Sequence, residues 1–311
     1  MDGAQVGGRA DPAIVVRGLR KSYGDVEAVR GIDLNVPRGE IFAILGPNGA
    51  GKTTTVEILE GHLARSGGEV SVLGFDPGNH ERSFRERIGI VLQSASVDPY
   101  LSVGETIELF RGYYPDPLPR ETVLELVGLS AQRGTLVRRL SGGQQRRLDV
   151  AIGLAGDPEL LFLDEPTTGF DPSARRGAWE MIRGLRSLGK TVVLTTHYME
   201  EAEYLADRVA ILVKGAIVAE GSVEELVRRG AHTTIHFRVE GPSPPGHLAA
   251  EPAGDGGAYV ITTVEATAAL HRLTGWALEE GVELQELTVA APSLEDVFLS
   301  LAGSSGRNGG P

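Results

Sequence analysis

A glycine-rich loop, GPNGAGKTT at Gly46–Thr54, is the first stretch whose residue types and spacing could do chemistry. Its pattern G-x-x-x-x-G-K-T is typical of a phosphate-binding loop, because glycines permit a tight turn and a close approach of backbone N–H groups to phosphate oxygens. The amides of residues 49–54 would wrap the phosphates, Lys52 would reach the β- and γ-phosphates, and the Thr53 hydroxyl would ligate Mg²⁺. The predicted nucleotide contacts are Gly46, Pro47, Asn48, Gly49, Ala50, Gly51, Lys52, Thr53 and Thr54.

An apolar run that ends in two carboxylates, LLFLDEP at Leu160–Pro166, could supply the metal and proton chemistry. Four apolar residues predict a buried strand, which places Asp164 at its carboxyl end, where ligands bind in open α/β sheets. Asp164 would hold Mg²⁺ through water, and Glu165 is placed to take a proton from an attacking water. Alone, the pair could equally be a solvated acidic turn, but a phosphate loop in the same chain favours the chemical roles.

A second phosphate cradle is predicted at LSGGQQRRLD, Leu140–Asp149. A serine and two glycines precede a predicted helix, and free N–H groups at a helix N-terminus are a common anion site. We call residues 46–54 the phosphate loop and residues 140–144 the signature segment. Their separation in sequence raises the question of why one chain carries both.

Strands and helices alternate around these motifs, and this alternation predicts how they are positioned. The apolar run at 41–45 leads into the phosphate loop, and 53–61 continues with helical character. Further strands are predicted at 160–166, 191–197 and 208–221, with a helix at 175–189. The pattern indicates an α/β fold with a mainly parallel sheet covered by helices on both faces. Helical segments starting at residues 103, 120 and 141 predict an inserted helical subdomain at about 98–158.

The region after residue 230 has a different pattern. Strands are predicted at 234–239, 258–264 and 282–290, and helices at 265–281 and 293–303. The Pro/Gly-rich stretch at 241–257 predicts a mobile loop. The pattern indicates a small C-terminal α+β domain at 231–302, after a main domain at 13–230. We expect residues 1–12 to be a disordered lead and 303–311 a disordered tail.

The composition excludes several classes of protein. A formal net charge of -12 over 311 residues argues against a nucleic-acid partner, since phosphate backbones select basic surfaces. The absence of cysteine excludes disulfides, cysteine-ligated zinc and iron–sulfur clusters. The apolar runs are too short to span a bilayer, and the N-terminus lacks a signal-peptide pattern, so we expect a cytoplasmic chain.

The order of the motifs along the chain resembles that of the nucleotide-binding domain of ATP-binding cassette (ABC) transporters. The motifs are GPNGAGKTT, Gln93, LSGGQ, LLFLDEP, FDP at Phe170–Pro172 and TTH at Thr195–His197. The resemblance covers about residues 14–230, and LSGGQ shortly before an LDE strand is nearly diagnostic. It implies a P-loop NTPase (RecA-like) core with an inserted helical subdomain and an antiparallel β subdomain. It also implies ATP and Mg²⁺ as the bound groups, and ATP hydrolysis as the activity.

The same resemblance implies roles for three side chains that residue type alone would not assign. Tyr23 would stack on adenine, Gln93 would sense Mg²⁺ and the attacking water, and His197 would contact the γ-phosphate. Without the resemblance, Tyr23 would be read as a packing residue, Gln93 as a polar cap at a strand end and His197 as structural.

The resemblance also explains the second phosphate cradle. In this family two domains close head-to-tail, and the signature segment of each meets the ATP that the partner's phosphate loop holds. The signature segment of this chain would contribute Ser141, Gly142, Gly143 and Gln144, and Asp171 would lie at the same interface. Phe170 stands where many relatives have leucine, which bears on packing there and leaves the role of Asp171 unchanged. The implied partner is a second copy of the chain.

A transport role would require separate polytopic permease subunits and a position at the inner face of the cell membrane. Val97, Tyr100 and Leu101 lie where the family docks its membrane partner, although they could equally be core residues. The stretches EPTTGFDPSARRGAWEMI, TTHYMEEAEYLADRVAILVKGAIVAEG and PSLEDVFLSLAG resemble the drug-exporter, daunorubicin-resistance-like branch. We therefore expect export of a hydrophobic drug, antibiotic or lipid-like compound.

Three alternatives remain at this stage. An importer ATPase would be marked by a binding protein encoded nearby. A soluble cassette ATPase of translation or DNA repair usually carries two cassettes, coiled coils or zinc cysteines, and this sequence has none of them. A regulatory module that binds ATP without hydrolysis is disfavoured by Glu165 and His197.

Overall fold

The computed structural model describes residues 11–91, 97–229, 232–254, 256–290 and 292–304. Gln93 lies outside the described residues, as do residues 1–10 of the predicted lead and 305–311 of the predicted tail. The chain divides into two compact units between Val223 and Glu224. The predicted domain boundary after Gly230 lies slightly later in the chain, and the functional division of the domains stays a prediction.

Strands and helices alternate through most of the described chain. The strands are β1 (Ile14–Tyr23), β2 (Val26–Val36), β3 (Ile41–Leu45), β4 (Gly67–Val72), β5 (Ile88–Val91), β6 (Leu160–Asp164), β7 (Thr191–Thr196), β8 (Arg208–Val213), β9 (Ala216–Ser222), β10 (Thr233–Arg238), β11 (Ala250–Pro252), β12 (Ala258–Thr263) and β13 (Gln285–Ala290). The α-helices are α1 (Lys52–Leu59), α2 (Arg82–Arg85), α3 (Val103–Arg111), α4 (Arg120–Leu126), α5 (Gly142–Leu154), α6 (Pro172–Ser187), α7 (Met199–Leu205), α8 (Val223–Arg229), α9 (Ala266–Glu279) and α10 (Leu294–Ser304).

The first unit is built on a six-stranded sheet of order β5-β6-β7-β3-β8-β9. Its strands run parallel except for β9, which pairs antiparallel with β8. Every residue of β3 and β7 is buried, as expected for strands covered on both faces. Leu45 pairs with Thr196, and Asp164 pairs with Thr195. The carboxyl ends of β3, β6 and β7 therefore lie side by side, at the edge where open α/β sheets bind ligands.

A second, three-stranded antiparallel sheet of order β2-β1-β4 belongs to the same unit. Its inward residues, such as Leu19, Val29 and Val72, join one apolar cluster with Phe42 and Phe162 of the parallel sheet. The predicted α/β class, with a P-loop core and an antiparallel β subdomain, is confirmed.

Helices α3, α4 and α5 pack against one another in the stretch where a helical subdomain is predicted. Two of them begin with a capping box, in which a serine side chain accepts from the backbone three residues later and a Glu or Gln side chain returns the bond. The pairs are Ser102 with Glu105 in α3 and Ser141 with Gln144 in α5. The signature segment therefore starts a well-terminated helix.

The second unit is a four-stranded antiparallel sheet of order β11-β12-β10-β13. Ile235 and Phe237 of β10 and Leu273 and Trp276 of α9 form its apolar core. The predicted loop at 241–257 is wrong for residues 250–252, because they pair with β12 as an edge strand. Pro252 ends this strand, and proline is tolerated at sheet edges because no inner ladder bond is lost there.

The described part of the chain contains no helix with the length and apolar character needed to cross a membrane.

Candidate nucleotide site

The phosphate loop connects β3 to α1, and its glycines are required by space as well as by conformation. Gly51 has φ +103°, and a Cβ there would lie 2.5 Å from the carbonyl oxygen of Ala28. A Cβ on Gly46 would lie 2.3 Å from the carbonyl oxygen of Leu212. Both distances are far inside van der Waals contact, so the backbone path of the loop excludes larger residues. The tight path leaves the loop backbone bare of side chains at these two positions.

The Lys52 side chain is buried inside the curve of the loop. Its Nζ donates hydrogen bonds to the carbonyl oxygens of Gly46 at 2.9 Å and Pro47 at 3.2 Å. The same Nζ lies 3.9 Å from Glu165 Oε1. Burial lowers the pKa of Lys52, while the charges of Glu165 and Asp164 oppose this shift. A cation with so little access to water is positioned to meet an anion in the loop.

Glu165 lies directly after β6, in a backbone conformation that is uncommon for a side-chain-bearing residue. Its φ is +45°, and such left-handed positions cost about 1–3 kcal/mol and cluster at functional sites. Its backbone N–H donates to the carbonyl oxygen of Thr195 at 3.2 Å and to the Thr195 hydroxyl at 3.0 Å. Thr195 on β7 therefore holds the turn that presents the Glu165 side chain.

Among the described residues, the Glu165 carboxylate contacts side chains from several parts of the chain. Oε1 lies 3.1 Å from His197 Nδ1 and 3.9 Å from Lys52 Nζ, and Oε2 accepts from the Thr168 hydroxyl at 3.1 Å. His197 follows β7, and its ring lies 4.0 Å from the ring of Tyr198, centroid to centroid. The predicted residues Lys52, Glu165 and His197 are therefore brought together.

Asp164 ends β6 beside the same group. Its carboxylate accepts a short hydrogen bond from the Thr195 hydroxyl, while its backbone pairs in register with Thr195. Thr195 thus bonds both carboxyl-bearing residues, Asp164 through its side chain and Glu165 through its backbone N–H. Within the TTH motif, the residue type of Thr195 does not indicate this role. Only the pairing register of β6 and β7, which the sequence does not carry, brings it there.

The remaining predicted contacts of the loop differ in exposure. Pro47, Asn48, Gly49 and Thr53 are exposed, Thr54 is half-buried, and Ala50 is buried.

Tyr23 lies at the end of β1 with about half of its surface exposed, and Lys21 Nζ lies 4.9 Å from the centroid of its ring. A ring in this state is available to stack on a flat partner, as adenine stacking requires. Gln93 lies outside the described residues, so its predicted position is untouched by the structure.

The signature segment and Asp171 line a different cavity. Ser141, Gly143, Gln144 and Asp171 border a space of about 380 Å³, and Asp171 caps α6 by accepting from the N–H groups of Ser173 and Ala174, both at 2.9 Å. Among the described residues that line this cavity, none comes from the phosphate loop.

A neighbouring cavity of about 460 Å³ is bordered by Gly142 and Glu165, and again no phosphate-loop residue is found in its described lining. Phe170 is half-buried and borders both cavities. The signature segment thus opens onto space that the chain's own phosphate loop does not share.

Residues 46–54 and the carboxyl edge of the sheet fit a nucleotide phosphate with Mg²⁺. The bare backbone at Gly46 and Gly51 and the buried Lys52 suit phosphate oxygens. The hydroxyl of Thr53 and the carboxylate of Asp164 are oxygen donors of the kind that Mg²⁺ prefers.

Comparison with known proteins agrees with this chemistry. The family model described as ABC transporter matches residues 29–168, and a model described as ABC transporter domain-containing protein-like, C-terminal domain, matches residues 233–293. The daunorubicin resistance ATP-binding protein of Streptomyces coeruleorubidus is 38% identical over 314 residues, covering 96% of this chain and 98% of that protein. The chain is a member of the ABC transporter ATP-binding family.

Further relatives and solved structures extend the comparison. The Nod factor export ATP-binding protein I of a Rhizobium species is 38% identical and covers 94% of this ABC ATPase and 97% of that protein. The structure of cbiO1 from Clostridium perfringens is 29% identical, with a TM-score of 0.63, over 71% of this chain and 94% of that chain. A dimeric cassette in a post-hydrolysis state, bound to ADP and phosphate, is 26% identical, with a TM-score of 0.60, over 67% of this chain and 98% of that chain.

The ABC ATPase therefore binds ATP with Mg²⁺, and its hydrolysis of ATP is coupled to transport. Cassettes of this family form dimers and work with membrane permeases.

Two buried residues near the ABC nucleotide site could not be identified as site residues from the sequence. Arg146 of α5 donates to the carbonyl oxygens of Asp164 and Pro166, and Glu201 of α7 accepts from the Thr167 hydroxyl at 2.6 Å. Both are charged residues inside helices, which usually face solvent, so helical periodicity alone gives no signal for their role.

Proposed function

We propose that this ABC ATPase powers the export of a hydrophobic drug, antibiotic or lipid-like compound through a separate membrane permease. The observation that carries the proposal is full-length similarity, through both units, to ATPases whose names state daunorubicin resistance and Nod factor export.

The geometry around Glu165 supports the proposed roles in hydrolysis. Lys52 neutralises the β- and γ-phosphates, and the bare amides of the phosphate loop hold their oxygens. Thr53 and, through water, Asp164 would hold Mg²⁺, which would supply charge neutralisation. Glu165 takes the proton of the attacking water, with its carboxylate oriented by His197 at 3.1 Å and Thr168 at 3.1 Å. His197 would contact the γ-phosphate, Gln93 would sense Mg²⁺ and the attacking water, and Tyr23 would stack on adenine.

A second copy of the chain completes each site in a head-to-tail dimer. The signature segment borders cavities without a described phosphate-loop residue, so its N–H donors need a γ-phosphate from elsewhere. Ser141, Gly142, Gly143 and Gln144 meet the ATP of the partner, and Asp171 lies at the same interface. ATP then joins the two copies, and hydrolysis separates them.

The permease binds the helical region and places the ATPase at the cytoplasmic face of the membrane. Tyr100 is strongly exposed, with the Arg138 guanidinium 5.1 Å from its ring centroid, whereas Val97 and Leu101 are half-buried. An exposed aromatic ring of this kind is a typical interface anchor. Tyr100 is therefore the favoured contact of the three.

The Glu165→Gln variant tests the dimer and the catalytic role together. Size-exclusion chromatography with light scattering should show a monomer without nucleotide and a dimer with Mg-ATP. The glutamine amide cannot take the proton of the attacking water, so ATP is not hydrolysed and the ATP-bound dimer persists. Glu180→Gln, on the exposed face of α6, is the matched control and should turn ATP over like the wild type. A Glu165→Gln protein that stays monomeric at saturating Mg-ATP would contradict the sandwich.

Affinity purification from gently solubilised native membranes tests the transport role. Recovery of a polytopic partner of about six spans, without an external binding protein, supports export. Recovery of a binding-protein-dependent permease would favour an importer. Recovery of ribosomes or DNA instead would move the chain to the soluble class of cassette ATPases.

A further inference from the structure

Arg146 connects the signature helix to the backbone on both sides of Glu165. It lies in α5, which the signature segment opens, and its side chain is almost fully buried. Its Nε donates to the carbonyl oxygen of Pro166 at 3.1 Å, and its Nη2 donates to the carbonyl oxygen of Asp164 at 3.2 Å. These two carbonyls belong to the residues immediately before and after Glu165.

A half-buried aspartate on the same helix balances the charge of Arg146. Arg146 Nη1 lies 3.7 Å from Asp149 Oδ2, one turn further along α5. Burial raises the pKa of Asp149 to about 6 against the opposing attraction of Arg146. Burying an ion pair brings little stability, because its desolvation cost offsets the Coulombic gain. Stability alone therefore gives a weak account of a guanidinium at this place.

The two hydrogen bonds act where they can control Glu165. The Asp164 carbonyl lies in the peptide plane that leads into Glu165, and the Pro166 carbonyl lies in the plane one residue beyond it. The two bonds therefore hold the short backbone segment that carries Glu165 at both of its ends. Glu165 also holds a strained φ of +45°, which persists only when its surroundings determine it. Thr195 restrains the Glu165 N–H from the sheet, and Arg146 restrains the neighbouring carbonyls from α5.

We propose that Arg146 is a positioning residue that couples the signature helix to Glu165, so that engagement of the signature segment sets the placement of the catalytic carboxylate. The inference rests on the proposed head-to-tail dimer. In that dimer the signature segment serves the partner's ATP, whereas Glu165 serves the ATP of its own chain. Arg146 therefore links the two sites of the dimer through a few bonds.

The test compares variants that separate charge from hydrogen-bond geometry. Arg146→Gln/Asp149→Asn removes both charges together, so no unpaired charge stays buried. Arg146→Lys keeps the charge for Asp149 but loses the planar fork that reaches two carbonyls. Arg82→Gln, on an exposed arginine of α2, is the control for loss of an arginine.

We expect the double variant to lower kcat by about 10–100-fold, with KM for ATP within about threefold, because small misplacements of a catalytic group are costly in rate. Arg146→Lys should be intermediate in kcat. Because the proposed dimer couples its two sites, we expect a Hill coefficient for ATP above 1 in the wild type. It should fall towards 1 in both variants, and a purely structural role would leave it unchanged. Wild-type kcat and Hill coefficient in either folded variant would overturn the inference.

Two further measurements keep the outcomes distinct. Thermal unfolding and binding of a fluorescent ATP analogue show whether each variant is folded. Should the double variant fail to fold, Arg146→Lys decides the question. In the Glu165→Gln background, absence of an ATP-dependent dimer in the otherwise wild-type chain contradicts the proposed function itself. A normal dimer there, with unchanged kcat in the Arg146 variants, contradicts only the role of Arg146.

Discussion

Replacing Glu60 by glutamine should stabilise the nucleotide-free protein, and the gain should grow with pH. Glu60 follows α1, and its side chain is almost fully buried in a cavity of about 350 Å³ that it shares with His62 and Phe84. Burial, reinforced by the charges of Asp164 and Glu57, raises the pKa of Glu60 from 4.5 to about 8. The folded protein therefore holds this proton over a pH range in which the unfolded chain releases it.

The sign and size of the effect follow from proton linkage. A carboxyl whose folded pKa is raised costs no stability below pH 4.5, costs increasingly more as pH rises from 4.5 to 8, and reaches its full cost above 8. The slope within this window is about 1.4 kcal/mol per pH unit. From pH 5.5 to pH 7.5 the wild type should therefore lose about 2–3 kcal/mol relative to Glu60→Gln.

Urea unfolding at the two pH values measures this difference. The chain has 2 tryptophans, so a Trp276→Phe background leaves Trp179 as a reporter of the first unit alone. All proteins are compared without nucleotide or Mg²⁺, and exposed Glu81→Gln is the matched control. A Glu60→Gln gain that is the same at pH 5.5 and 7.5 within about 0.5 kcal/mol would refute the burial argument.

Two arginines lower the pKa of Glu159 to about 2, so the stabilisation that this carboxylate provides is present above pH 4.5 and is lost as pH falls towards 2. Glu159→Gln should therefore lower the free energy of unfolding by about 1 kcal/mol at pH 7, after allowance for the partial exposure of Glu159. The loss should be smaller at pH 3, and urea titrations at the two pH values measure it. Gly51→Ala should weaken binding of a fluorescent ATP analogue by about 10–100-fold, because the new Cβ would clash with the Ala28 carbonyl oxygen. Gly184→Ala, at an open position in a helix, is the control and should bind the analogue normally. Glu201→Leu should cost about 2–4 kcal/mol in unfolding free energy, since a buried hydroxyl and an indole N–H lose their acceptor; a cost below about 0.5 kcal/mol would contradict this.

The parallel core and the phosphate loop were predictable from sequence because their signals are local. The apolar run at 41–45 and the pattern G-x-x-x-x-G-K-T identify a strand and the turn after it from neighbouring residues alone. The capping pair of Ser141 and Gln144 is likewise three residues apart, so the start of α5 is visible in the sequence.

The contacts around Glu165 were not predictable in the same way. Thr195 meets Asp164 only because β6 and β7 pair in one particular register, and Arg146 meets Pro166 only after α5 packs beside the sheet. A register shift of one residue would leave the sequence pattern unchanged but reverse every side chain of the strand. The short strand β11 was missed for a similar reason, since three residues are too few for a period-two pattern.

The same long-range contacts explain how a strained turn at the catalytic residue is sustained. A left-handed φ at Glu165 costs about 1–3 kcal/mol, and a hydrogen bond in a folded protein returns about 1 kcal/mol on average. Thr195 bonds the Glu165 N–H, Arg146 bonds the flanking carbonyls, and Glu201 bonds Thr167 two residues later. Together these bonds outweigh the strain, but no one of them does so alone. Withdrawal of α5 would remove the bonds to both carbonyls that flank Glu165 and so weaken the restraint on the turn. The placement of Glu165 therefore depends on the helix that the signature segment opens.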